Sequence, residues 1–222
     1  VRAARGADLV VTSGGISAGA FDPLIMLADD GASDGPVRLH PAKVAMQPGK
    51  PQGHGAVRVE DDGTQREVPI IALPGNPVSV LVSFTTVVVP ALARLAGHDV
   101  LPRPLTGGGA RRAQGAAPTR VRAAAAWRTP PGRRQYLPVR FVDAPDGMTA
   151  DPPAPGAAPE STTLWVEPTH RLGSGSHLVA SLPAAEALAV VGEDVPEVGV
   201  GDEVGLIALS ASAAPGSGHP RR

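Results

Sequence analysis

The sequence predicts an α/β unit of the doubly wound type followed by a small all-β barrel. Three observations predict this order. The apolar run Leu9-Val10-Val11 passes directly into Gly14-Gly15-Ile16-Ser17-Ala18-Gly19, after which Asp22-Pro23 opens a helix; strand, glycine loop and helix make one arm of a doubly wound sheet. A second arm ends in Pro74-Gly75-Asn76-Pro77 and leads into a long apolar helix. Beyond the Pro- and Gly-rich stretch around residues 98–117 the helical periodicity disappears, and short apolar segments follow one another as in a barrel or sandwich. The expected boundaries are 1–97 for the α/β unit, 98–117 for a linker, 118–210 for the barrel and 211–222 for a disordered tail.

Each element has a local reason. Leu9 to Val11 lacks the polar alternation of a half-exposed strand, so it reads as a buried parallel one. Asp22 caps a helix whose first position is Pro23, and Leu24, Ile25, Leu27 and Ala28 form its apolar side. Val37–Met46 reads as a strand broken at Pro41. Gln47-Pro48-Gly49-Lys50-Pro51 reads as irregular, because two prolines flank a Gly-Lys pair. Val57–Val59 and Val68–Leu73 form a hairpin around Asp61-Asp62-Gly63-Thr64. Asn76 caps the next helix, which carries Val80, Leu81, Phe84, Val87 and Val88, kinks at Pro90 and ends near Gly97. In the rear half the expected strands are Thr119–Trp127, Gln135–Val142, Leu164–Glu167, His177–Ser181, Ala187–Val191 and Val204–Leu209.

Composition excludes several classes of function. With 20 Lys+Arg against 21 Asp+Glu the net charge is -1, which gives no electrostatic footprint for nucleic acid or an anionic membrane. Aromatics are 3% of the chain, too few for base stacking on aromatic platforms. The absence of Cys removes disulfides, thiolate chemistry and Cys-ligated metals, and fits a cytoplasmic protein. The most apolar stretch, Val78 to Leu95, is interrupted by Ser79, Ser83, Thr85, Thr86, Pro90 and Arg94, so no membrane span is expected. Position 1 is Val, and the sheet so read starts near its middle; the chain is expected to be part of a longer protein.

Three motifs carry candidate chemistry. Ser13-Gly14-Gly15-Ile16-Ser17 offers N–H groups and hydroxyls to an anion beside a helix N-terminus, or is an ordinary βα turn. Asp22 suits either a helix cap or a carboxylate for Mg²⁺ near a phosphate. Lys50, between Gly49 and Pro51, is a point cation on a rigid loop suited to an oxyanion, or a solvated lysine. Pro74-Gly75-Asn76-Pro77-Val78-Ser79 joins a close-approach glycine, a cap and a hydroxyl at one helix start. The six histidines show no metal-ligand spacing, so no protein-ligated metal site is read from them.

Taken in order and spacing, Thr12 to Gly19 with Asp22, Pro48-Gly49-Lys50-Pro51, and Leu73 to Ser79 closely resemble the molybdopterin molybdenumtransferases, the family related to gephyrin. Gly132-Arg133-Arg134-Gln135-Tyr136 and Ser176-His177-Leu178 resemble that family's C-terminal barrel. The resemblance implies a C-terminal portion of such an enzyme, with a partial molybdopterin-binding α/β domain. It implies insertion of molybdate into adenylylated molybdopterin, release of AMP, and Mg²⁺ as cofactor. It places Ser13, Gly14, Gly15 and Ser17 at the pterin phosphate and Asp22 at the metal. Lys50, Pro51, Ser79, Arg133 and Ser176 surround the molybdate, with Gly75 and Asn76 in the same binding site. Asp22 and Lys50 are the catalytic candidates. Complete members dimerise, so a homodimer is expected.

Two positions depart from the pattern: Ala20 stands where many members carry Glu, and Gln47 where many carry Lys. Register is ambiguous between Arg133 and Arg134, and between Ser174 and Ser176. The rival readings are a molybdopterin adenylyltransferase-like enzyme, which shares the glycine loop but lacks the barrel and the Pro-Gly-Lys-Pro loop, and a non-catalytic remnant or interaction module.

Overall fold

A computed structural model describes residues 2–16, 22–24, 26, 35–61, 63–98, 120–148, 163–170 and 179–209. The chain divides into two compact units, Val1–Pro102 and Arg103–Arg222. Apart from His98, the expected linker lies outside the described residues, as does the tail.

In the first unit a 3-10 turn, Arg2–Ala4, precedes strand β1 (Val10–Ser13). Strand β2 (Val37–Lys43), the short extended segment β3 (Met46–Gln47), β4 (Pro51–Asp61) and β5 (Thr64–Leu73) follow. One sheet runs in the order β1-β5-β4-β2. β1 lies parallel to β5, pairing Val10 with Ile70 and Ser13 with Leu73, while β4 pairs antiparallel with both β5 and β2. The sheet is therefore mixed, and among its described strands only β1 and β5 pair in parallel. Its core gathers Ala4, Ile16, Leu39, Val57, Val59, Val68, Ile70 and Ala72.

Several local expectations change. β2 runs unbroken through Pro41, which an edge strand tolerates because that N–H need not enter a ladder. Pro51 opens β4, and Gln47 belongs to β3, so only residues 48–50 of that motif are irregular. The hairpin is longer than expected: Asp61 pairs with Thr64 across a turn in which Gly63 adopts φ 77°. β4 starts as early as Pro51 because glycine lets its backbone approach β2; a Cβ at Gly55 would sit 1.9 Å from the Arg38 carbonyl oxygen.

Helix α1 (Pro77–Leu95) begins after Asn76, whose side chain accepts the Ser79 N–H at 3.1 Å. It passes through Pro90 by means of a π turn at Phe84–Val88, in which the Val89 N–H reaches the Phe84 carbonyl. The wider turn absorbs the register that a proline disturbs. The helix buries Val78, Ser79, Val82, Ser83 and Val88, and leaves Phe84, Val87, Leu92 and Leu95 exposed. Of the apolar residues expected on this helix, Val88 is buried, Val80 and Leu81 are half-buried, and Phe84 and Val87 are exposed. By length and composition alone this helix could cross a membrane.

The second unit holds β6 (Arg120–Ala123), β7 (Trp127–Arg128), β8 (Arg134–Val142), β9 (Thr163–Pro168), β10 (Ala187–Val191), β11 (Glu197–Val198) and β12 (Gly205–Ala208). The order β12-β10-β8-β9-β6 makes the main sheet, and β7 pairs with β11. The free side of β6 bonds to the chain entering β12: the Ala123 N–H donates to the Asp202 carbonyl at 2.9 Å and the Val204 N–H to that of Val121 at 3.0 Å. The two ends of the sheet thereby meet as in a barrel, around Val121, Leu137, Val139, Val166, Ala189 and Leu206. The described part of the expected strand His177–Ser181 is instead the start of a 3-10 segment, Val179–Ala184, and Pro183 within it suits a turn better than a ladder.

Candidate functional site

The site of interest lies where β1 and β5 end side by side. In a sheet with parallel strands the crevice outside their carboxyl ends is the usual place for a ligand. After β1 the Gly14 N–H donates to the Leu73 carbonyl at 3.0 Å, which ties the glycine loop to the end of β5. Gly14 and Gly15 take φ 85° and 78°, left-handed values that disfavour other residues. Gly75 follows β5, and a Cβ on it would lie 3.2 Å from the Gly14 Cα. Two glycine-bearing loops therefore touch backbone to backbone. Between them and α1 opens a shallow cleft of about 420 Å³, lined by Ser13, Gly75, Pro77, Val80, Leu81 and Phe84.

Asp22 comes to the same place. Its Oδ1 is buried and would stand 3.2 Å from a Cβ at Gly15, while the Leu24 N–H donates to the Gly15 carbonyl at 3.0 Å. The Asp22 carbonyl accepts the Met26 N–H at 2.9 Å, so the residue stands at the entry to a helical turn. A Mg²⁺ ion commonly takes one or two carboxylates and completes its shell with substrate phosphates and water. A single carboxylate against a glycine loop fits that requirement. No group of three or more His, Asp or Glu that could hold a metal occurs among the described residues.

Ser79 is buried at the start of α1, with its N–H and its hydroxyl both directed to the Asn76 Oδ1, at 3.1 and 3.3 Å. Asn76 thus fixes both the helix start and the orientation of Ser79. Lys50 is exposed on a loop closed by the Val44 N–H on its carbonyl at 2.9 Å. That loop is seated on α1: the Gln52 amide Nε2 donates to the Gly49 carbonyl at 2.8 Å and to the Ser83 Oγ at 2.6 Å. Ser79 and Ser83 are four residues apart, hence on one face of the helix. The Pro-Gly-Lys-Pro loop is therefore carried by the same helix that starts at the Gly75 loop.

Of the expected site residues, the first unit gathers Ser13, Gly14, Gly15, Asp22, Gly75, Asn76 and Ser79 around the ends of β1 and β5, and seats Lys50 and Pro51 on the same helix. Ser17 and Ser176 lie outside the described residues. Arg133 stands half-exposed in the turn before β8, in the second unit. Its neighbour Arg134 is engaged by Glu193 at 3.2 Å. The Glu193 carboxyl lies below its ordinary value, through a hydrogen bond from its own backbone and then through the Arg134 charge. Gln52 and Ser83 were not singled out by motif. Their only sequence signals are a glutamine next to Pro51 and a serine one turn beyond Ser79.

Comparison with known proteins bears on this arrangement. Residues 1–94 match the model of a probable molybdopterin binding domain, and residues 120–209 that of the MoeA C-terminal region, domain IV. The chain is 47% identical over 106 residues to molybdopterin molybdenumtransferase 2 of Mycobacterium tuberculosis, covering 46% of this chain and 23% of that protein. The two domain models, in this order, account for most of the chain. In both parts it is similar to the molybdopterin molybdenumtransferases.

Further relatives of this family are the molybdopterin molybdenumtransferase of a Nostoc species, 37% identical over 97 residues (43% of this chain, 20% of that one), and the gephyrin of Dictyostelium discoideum, 32% identical over 101 residues (42% and 13%). The chain thus spans less than a quarter of the length of these relatives. Its fold is that of a molybdopterin biosynthesis MoeA protein from Pyrococcus horikosii, with TM-score 0.56 and 24% identity, covering 95% of this chain and 39% of that structure. The chain carries an α/β molybdopterin-binding domain and the β-rich C-terminal domain of the molybdenumtransferases.

Proposed function

We propose that the protein to which this chain belongs inserts molybdate into adenylylated molybdopterin and releases AMP. The observation that carries the proposal is the backbone contact of the Gly14 and Gly75 loops at the ends of β1 and β5, with Asp22 against Gly15. Such a crevice suits a ligand that brings phosphates, because it offers backbone N–H groups without side chains in the way. In the reaction, water divides the phosphoanhydride into AMP and the phosphate of molybdopterin. The dithiol then takes up molybdate, its two thiol protons leaving with one molybdate oxygen as water.

Within this proposal Ser13, Gly14, Gly15 and Ser17 receive the pterin phosphate, Gly75 and Asn76 belong to the same binding site, and Ser79 joins Lys50 and Pro51 around the molybdate. Lys50, beside Pro51, supplies a positive charge to the incoming molybdate. Arg133 and Ser176 are proposed molybdate contacts on the resemblance alone. Asp22, together with phosphate oxygens, would hold Mg²⁺, which when bound neutralises phosphate charge. The homodimer and a cytoplasmic setting likewise come from the resemblance and belong to the proposal. Against an adenylyltransferase-like enzyme speaks the match of residues 120–209 to the MoeA C-terminal region, a part that the rival lacks.

The test is molybdate-dependent AMP release from adenylylated molybdopterin by the full-length protein. Lys50→Ala should raise KM for molybdate, while Lys43→Ala, at another exposed lysine on β2, should not. Equal molybdate KM in the two variants would remove Lys50 from the site.

A further inference from the structure

The geometry points to Gln52 and Ser83 as positioning residues that hold Lys50 for its oxyanion, one amide clamping the Pro-Gly-Lys-Pro loop to helix α1. The inference rests on the proposed role of Lys50 and adds the device that aims it.

Gln52 is buried, and its Nε2 spends its hydrogens on two different elements: the Gly49 carbonyl at 2.8 Å, within the loop, and the Ser83 Oγ at 2.6 Å, on the helix. The Met46 sulfur lies 3.7 Å from the same nitrogen. Its Oε1 is buried and has no hydrogen-bond partner among the described residues. If only volume were needed at this position, methionine would fill it without an unbonded polar atom, and leaving a buried acceptor unsatisfied is costly. The use of the amide lies in its two donors.

The loop is also shaped for this seat. Gly49 takes φ 102°, and a Cβ there would lie 2.9 Å from the Ser83 Oγ. The backbone next to Lys50 thus rests directly on the serine hydroxyl. Ser83 is fully buried and one helical turn beyond Ser79, so the clamp fixes the loop along the helix face that carries Ser79. Lys50 itself remains exposed. An exposed lysine has many rotamers, and fixing its backbone narrows where the ammonium can go.

The experiment measures molybdate binding by calorimetry and molybdate KM in full-length protein for Gln52→Met, Ser83→Ala, Lys50→Ala and the two double variants. Gln52→Met keeps length and burial but removes both donors; Ser83→Ala removes one acceptor and keeps helix propensity. Gln52→Met should weaken molybdate by about tenfold, below the ~10²-fold that a 1 Å misplacement can cost, and Ser83→Ala by a few-fold. KM for the adenylylated substrate should stay unchanged. In the Lys50→Ala background neither should weaken molybdate further, because the residue they aim is gone. Should Gln52→Met fail to fold, Ser83→Ala carries the same cycle. Full additivity with Lys50→Ala would overturn the positioning role. So would undiminished molybdate binding in both single variants while Lys50→Ala binds weakly. A Lys50→Ala variant that binds molybdate normally would sink the proposed site itself, and this device with it.

Discussion

The two units solve the problem of covering a sheet in different ways. In the second, the strands bend round until β6 meets the chain entering β12, and Val121, Leu137, Val139, Val166 and Leu206 are almost wholly inaccessible in one cluster. In the first, β1 is the outer strand among those described, with Val11 exposed, and α1 turns Phe84, Val87, Leu92 and Leu95 outward. The unit with the glycine loops, the cleft and the candidate site is the one left open. Closure lets the second unit enclose its core within its own sheet, whereas the first keeps its strand ends and a helix start accessible as the candidate site.

That contrast can be broken by substitution. The largest effect is expected in the barrel core: Leu137→Ala should cost about 2–5 kcal/mol, seen by calorimetry as a lowered transition for the second unit alone. Gly55→Ala forces a Cβ into the Arg38 carbonyl and should cost the first unit about 1–3 kcal/mol, leaving the barrel transition in place. If either substitution shifts both transitions equally, the units are not separate in stability. Asn76→Ala, which removes the acceptor for Ser79, should cost about 0.5–2 kcal/mol and also weaken substrate binding. Phe84→Ala, at an exposed site, should change stability by no more than about 0.5 kcal/mol; a loss of several times that would mean the outward face of α1 is covered in solution.

Much of this was legible in the sequence where backbone chemistry is local. Asp62-Gly63 marks a two-residue hairpin, Asn76-Pro77 marks a helix start, and Ala187–Val191 is a strand at the limits expected for it. What was not legible depends on neighbours. The expected strand starts only at Val57, yet Gly53 and Gly55 are already strand residues whose missing side chains admit Ile16 and the Arg38 backbone. On α1 the expected apolar residues divide: Val88 is buried while Phe84 and Val87 are exposed, and Ser79 and Ser83 share the buried face with Val78 and Val82. Periodicity counts apolar residues and passes over serines that a loop needs. The glycine loop was visible as a motif, but its contact with Gly75, about sixty residues away, required the β1/β5 pairing.

The most direct measurement concerns Asp22, a carboxylate that stands against the glycine loop. Asp22→Asn keeps a cap for the helical turn and removes the charge. In full-length protein with adenylylated molybdopterin, molybdate and saturating Mg²⁺, the variant should fold as the parent does, yet lose most AMP release. AMP release at the parental rate would leave Asp22 as a cap only and would contradict the placing of the reaction at the ends of β1 and β5.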